Sequence, residues 1–222
     1  MSKNDAELGQ RIKQHLADMN VESPIDFERY ESTTSEEKID LIKEKMTEVL
    51  ETIGFDLTND SVIDTPKRMA KMWVNEVMSG LDYSTFPRIM TFENKFNAAG
   101  MVVQRNVKSM SLCSHHLVTI DGTAHVAYIP SKKVIGLSKI ARVVDFFSRR
   151  PQEAERLTLQ IFHALQYILE TDDIAVFLSG VHYCMKARGA DEANADTVTV
   201  KLGGAFLNDH QIRKEFYDVI AK

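Results

Sequence analysis

The sequence predicts an α+β fold with a helical appendage at its N-terminus. Three observations carry that expectation. Apolar residues recur at helical spacing through roughly the first 80 positions. The composition then shifts to runs rich in Val, Ile and Thr, the residues that suit strands. Two such runs precede a pair of helical patterns and two follow it, giving the order strand, strand, helix, helix, strand, strand. We therefore divide the chain into an N-terminal helical region, residues 1–90, and a strand-bearing domain, residues 91–222.

Each element has its own signal. Ala6 to Met19 can form a helix, and Pro24 with the polar stretch at Glu31 interrupts the pattern. Thr34 followed by Glu37 reads as a capping box. Ile39, Ile42, Met46, Val49, Leu50 and Ile53 then share one helix face, and Gly54 is a stop signal. Thr65-Pro66 opens the next helix, since proline is tolerated in the first turn. Its apolar face is Met69, Met72, Trp73 and Val77, and Gly80 ends it. Met101 to Leu112 and Leu117 to Ile129 read as strands, with Asp121-Gly122 marking a turn or a bulge. Gly136-Leu137-Ser138 opens a helix that runs to Phe147 and is broken at Arg149-Arg150-Pro151. Another starts at Glu153, with Leu157, Ile161, Ala164, Leu165 and Ile168 on one face. Ile174 to Met185 and Thr197 to Phe206 are the last strands, and His210 to Lys222 is a closing helix.

Bulk properties narrow the function. The formal net charge of -5 argues against a general nucleic-acid surface. No apolar run approaches the roughly 18 residues of a membrane helix. Two cysteines cannot form a disulfide framework, and no apolar leader opens the chain, so we expect a cytoplasmic protein with reduced thiols.

Both cysteines sit beside histidine. Cys113-Ser114-His115-His116 and His182-Tyr183-Cys184 bring together the side chains zinc prefers. A lone Cys-x-x-His is usually coincidence, but a second cluster changes the odds. On a strand, His182 and Cys184 would face one side. Cys113 and His116, three apart, would need a turn at a strand end. A four-ligand structural site (Cys113, His116, His182, Cys184) and a three-ligand site open to water or substrate both fit this spacing.

Other polar residues have bland and functional readings. Ser138, Lys139 and Arg142 lie at the start of a helix, which is a cap with solvated bases or a place for phosphate. Arg68 shares an exposed helix face with Lys71, and Arg188 follows the second cluster. Glu155 opens a helix, where an acidic residue suits the dipole; a buried carboxylate there would instead bind a guanine edge. No P-loop pattern is present.

These residues fall into a recognisable series. The first cluster with its continuation to Gly122, then Ala127-Tyr128-Ile129-Pro130, Val134-Ile-Gly-Leu-Ser-Lys-Ile-Ala-Arg142, Arg150-Pro151-Gln152 and His182-Tyr-Cys-Met-Lys-Ala-Arg-Gly189 together resemble the GTP cyclohydrolase I family of the bacterial type. Asp64-Thr65-Pro66-Lys-Arg68, Glu76-Val-Met-Ser-Gly-Leu-Asp-Tyr83 and Leu202-Gly-Gly-Ala-Phe206 extend the resemblance, which spans roughly residues 36–220.

The resemblance implies the tunnelling fold, an antiparallel-sheet unit that oligomerises into a barrel, in a homodecamer of two pentamers with shared active sites. It implies zinc on Cys113, His116 and Cys184, with His115 and His182 as proton carriers. Ser138, Lys139, Arg142, Arg68 and Arg188 would hold the triphosphate and ribose side, and Glu155 the guanine edge. The implied reaction converts GTP and water to 7,8-dihydroneopterin triphosphate and formate, the first step of tetrahydrofolate or pterin synthesis. Neither a nucleic acid nor a membrane is an expected partner. The chain departs from the family pattern at Ser114, commonly Glu, at Ala154, often Gln, and over residues 190–196. The rival readings are another pterin or deazapurine enzyme of the same fold and a non-catalytic, zinc-stabilised nucleotide-binding oligomer.

Overall fold

In the computed structural model, residues 3–187 and 194–221 are described. Contacts divide the chain into two units, Pro24–Ser79 and Met1–Ser23 with Gly80–Lys222. The first helix packs within the sheet-bearing unit.

The Pro24–Ser79 unit is helical. It holds α2 (Phe27–Glu31), α3 (Ser35–Thr52) and α4 (Thr65–Met72). The Thr34 capping box forms: the Thr34 hydroxyl accepts from Glu37 N at 3.2 Å, and Thr34 N donates to the Glu37 carboxylate at 2.7 Å. Of the apolar face expected on α3, Leu50 alone is buried, while Val49 and Ile53 are exposed. The α4 pattern does not continue as one α-helix to Val77; a five-residue π-helical turn, Trp73–Val77, takes over.

In the other unit, α1 (Ala6–Asp18) is capped by Asp5 and packs on the chain around Tyr83 and on α6. Gly9 allows that approach, since a β-carbon there would meet the Tyr83 carbonyl and sit 2.8 Å from Phe86 Cβ. The main sheet has the order β5-β2-β3-β6-β7. Its strands are β2 (Val102–Cys113), β3 (Thr119–Tyr128), β5 (Pro151–Gln152), β6 (Ile174–His182) and β7 (Thr197–Leu202). The four long strands are antiparallel, whereas β5 lies parallel to β2. Two short strands, β1 (Thr91–Glu93) and β4 (Lys133–Ile135), form a separate ribbon.

Helices α5 (Leu137–Ser148) and α6 (Ala154–Leu169) cover one sheet face, so the strand-strand-helix-helix-strand-strand order stands and the fold is α+β. Their fully buried Val143, Val144, Phe147, Ile161 and Leu165 form the core there with Ala124, Val126 and Val176. After the four-residue α7 (Tyr183–Lys186), α8 (Gly204–Asn208) and α9 (His210–Ile220) pack Phe206 and Phe216 on Ala127 and Ala175.

Further local expectations are corrected; the strand expected from Thr197 to Phe206 ends at Leu202, with Phe206 on α8. Asp121-Gly122 is neither a turn nor a bulge but continues β3 in register, Gly122 lying opposite both Ser109 and Gly180. Glycine serves close strand approach there, for a β-carbon would lie 2.9 Å from the carbonyls of Ser109 and Ser179. The irregularity falls between Gln104 and Val107, where Asn106 has φ 56°. The strand expected through Met185 ends at His182, and Cys184 lies on the helical turn of α7.

Candidate metal and active site

The site forms where β2 and β6 end at the same end of the sheet. At the end of β2 the chain turns back on itself: Cys113 N donates to Val118 O and Leu117 N to Cys113 O, both at 2.8 Å. Leu117 closes this turn in the left-handed region, φ 53°. The turn places His116 Nδ1 4.0 Å and His115 Nδ1 3.7 Å from Cys113 Sγ. β6 ends opposite, with His182 paired to Ile120. The helical turn that follows directs Cys184 inward, where it packs with Cys113, Ile120 and Val118. Cys184 and His182 therefore approach the site from different elements, not from one strand face.

One ligand atom each from Cys113, His116 and Cys184 lies within 4.8 Å of the others. In tetrahedral zinc, sulfur and nitrogen ligands stand ~3.5–3.8 Å apart, so a small inward adjustment closes the set. Two thiols and an imidazole are the donor chemistry zinc favours, and the residues present fit that metal. The electrostatics agree. Burial pushes the Cys113 thiol up, but hydrogen bonds from His116 and His115, and from Cys184, outweigh it and bring the pKa down to about 6. A thiol in that range is largely thiolate at neutral pH, the form that ligates metal.

His182 lies outside the three-residue group. Burial lowers its pKa below the ordinary imidazole value, and the Glu155 carboxylate pulls the other way. The net direction leaves the ring neutral and able to accept a proton at pH 7. Glu155 is in the first turn of α6 and exposed. Ser138, Lys139 and Arg142 occupy the first turns of α5; Ser138 and Arg142 are exposed and Lys139 half-buried. Arg68 belongs to the Pro24–Ser79 unit, on α4, 3.7 Å from Asp64 across one exposed turn. Arg188 and most of the 190–196 segment lie outside the described residues.

Sequence reasoning missed a polar cluster behind the metal turn. Arg150 is fully buried and bonds Glu22, Ser23, Tyr83 and the Gly80 carbonyl. Beside it, Gln152 and Gln160 are buried and joined to each other. Arginine at a helix end reads as solvated, so only the length of the Arg150-Pro151-Gln152 resemblance pointed here.

Comparison with known proteins agrees with this geometry. The GTP cyclohydrolase I family model matches residues 42–221. GTP cyclohydrolase 1 of Mannheimia succiniciproducens is 47% identical over 222 residues, the whole of both chains. GTP cyclohydrolase 1 of Haemophilus ducreyi is 47% identical over 96% of each chain. The enzyme of the same name from Vibrio vulnificus is 48% identical over 95% of this chain and 96% of its own. With Cys113, His116 and Cys184 gathered at one end of the sheet and a match of this length, the chain belongs to the GTP cyclohydrolase I family.

Proposed function

We propose that the chain is a zinc-dependent GTP cyclohydrolase in which Cys113, His116 and Cys184 hold the metal and His115 and His182 carry protons. The single observation that carries this reading is the convergence of those three ligand atoms within 4.8 Å, with a neutral imidazole, His182, two residues from one of them. The reaction is hydrolysis of GTP to 7,8-dihydroneopterin triphosphate and formate. Zinc, when bound, supplies activation of a water molecule at neutral pH.

The protein's own groups do the rest. Glu155, close enough to act electrostatically on His182, accepts hydrogen bonds from the guanine edge and so fixes the purine beside that imidazole. His182 takes a proton from the attacking water at a ring nitrogen and returns it to the imidazole-ring nitrogen of the purine as that ring opens. His115, on the Cys113 side, serves the later proton steps that release formate and rearrange the ribose. Ser138, Lys139 and Arg142 at the start of α5, with Arg68 and Arg188, neutralise and position the triphosphate.

The active form in this reading is a homodecamer of two pentamers with sites shared between subunits, in the cytoplasm. Exposed Val198 and Val200 on β7, the last strand of the sheet, support association. No helix among the described residues is long and apolar enough to cross a membrane.

The test is incubation of zinc-loaded protein with GTP, following formate and the fluorescent oxidised pterin. Absence of turnover in correctly assembled protein sinks the enzyme reading. His182→Ala retains zinc and loses turnover; loss of zinc instead would favour a four-ligand structural site.

A further inference from the structure

The metal turn is held from behind by one residue of a two-residue strand. Gln152 sits opposite Cys113 in the parallel β2–β5 pairing, and its carbonyl accepts from Ser114 N at 3.0 Å. The main chain on the C-terminal side of the Cys113 thiol is thus tied to Gln152. β5 is too short to hold itself in place, and its other residue, Pro151, has no N–H to give.

The Gln152 side chain anchors β5 from its C-terminal end, as Arg150 does just before it. It is 1% exposed. Its amide nitrogen spends both hydrogens, donating to Phe147 O near the end of α5 at 2.7 Å and to Gln160 Oε1 on α6 at 2.8 Å. Gln160 cannot flip to release it, because Gln160 Nε2 donates to Val21 O at 3.0 Å and Ser23 Oγ at 3.2 Å. The same amide therefore locks the strand, the end of α5 and the body of α6 together. α5 carries Ser138, Lys139 and Arg142, and α6 carries Glu155.

We propose that Gln152 is a positioning residue for the metal site: its side-chain amide, clamped between α5 and α6, sets the backbone from which the Cys113–His116 turn presents its ligands. Groups behind metal ligands that orient them are worth about 10–100-fold in metal affinity. Gln152 acts in this way through main chain, where most such groups act by bonding a ligand side chain directly. The proposal rests on the zinc reading of the site.

Gln152→Met, in the full chain, keeps the volume and removes the amide. Zinc affinity is measured by chelator competition, and the cobalt-substituted protein is read by its visible absorption. The expected result is zinc binding weakened about 10–100-fold, with a changed cobalt spectrum. Affinity within about two-fold of the unmodified protein and an unchanged spectrum would overturn the proposal, whatever happens to the melting temperature of the metal-free chain. Should Gln152→Met fail to fold, Gln160→Leu removes one of the two clamps and leaves the Phe147 bond. A smaller loss of zinc affinity in that variant supports the proposal, and an unchanged affinity overturns it. The unmodified protein is titrated alongside: if it binds no zinc, the metal reading falls and this proposal with it, whereas equal binding by both proteins removes the proposal alone.

Discussion

Arg150→Met should cost the fold about 3 kcal/mol, at the lower end of the range for breaking a buried ion pair. The magnitude follows from what each partner keeps. Arg150 is 0% exposed and Glu22 is 12% exposed at the side chain, with 3.2 Å between them. Removing the guanidinium strips the charge partner from Glu22. The carboxylate still accepts from the Tyr83 hydroxyl and from Ser23 N at 2.6 Å, so its loss is partial. The Gly80 carbonyl loses the bond from Arg150 Nη2. Burial pushes the Tyr83 phenol up, so it stays a neutral donor throughout. For a chain of this size, 3 kcal/mol lowers the melting temperature by roughly 6–12 °C. Urea denaturation gives the free energy, and calorimetry the midpoint. The double variant Arg150→Met with Glu22→Gln should recover part of the loss, because no charge is then left without its partner. A loss below about 1 kcal/mol for the single variant, or no coupling in the double, would show that the cluster is not held by its ion pair.

Three further outcomes are expected. Gly122→Ala, which forces a β-carbon between the Ser109 and Ser179 carbonyls, should destabilise by about 1–3 kcal/mol in denaturant; a neutral result would mean the strands can part. Burial holds the His163 pKa below the ordinary imidazole value, only partly offset by its bond to Gln166, so the unfolded chain binds its proton first as pH falls. Its contribution to stability is then present above about pH 6.5 and lost as pH drops through the lower folded value, and an NMR midpoint for His163 at or above 6.5 would refute this. Glu155→Ala should raise the KM for GTP or abolish turnover without changing the sedimenting mass, and equal use of ITP and GTP by the unmodified protein would contradict guanine reading by this carboxylate.

Much of this architecture could be read from local chemistry. The Thr34 capping box, the proline that opens α4 and the periodic face of α6 each carry their signal within a turn or two. Two of the readings that failed needed information from across the sheet. Asp121-Gly122 has the sequence of a turn, yet Gly122 answers to carbonyls on both neighbouring strands. His182 and Cys184 have strand spacing, but the pairing of β6 stops at Ile120 and the chain coils into α7. β1, β4 and β5 are two or three residues long, below any periodicity. The chemistry of the two Cys/His clusters was legible because ligand type is intrinsic to the side chain. Their convergence was not, since it depends on β2 and β6 both lying against β3. Arg150 and Gln152 were hidden for the opposite reason: polar residues near a proline look exposed until the packed helices are seen.

The separation of the cysteines has a consequence for how the protein matures. Cys113 and His116 come from one turn, but Cys184 arrives only after β6 has docked on β3, closing a loop of about seventy residues. A half-paired sheet offers the metal two ligands, and a finished one offers three. On the proposed zinc site, tight metallation would be a late event that reports completion of the sheet and would fasten two distant strand ends against reopening.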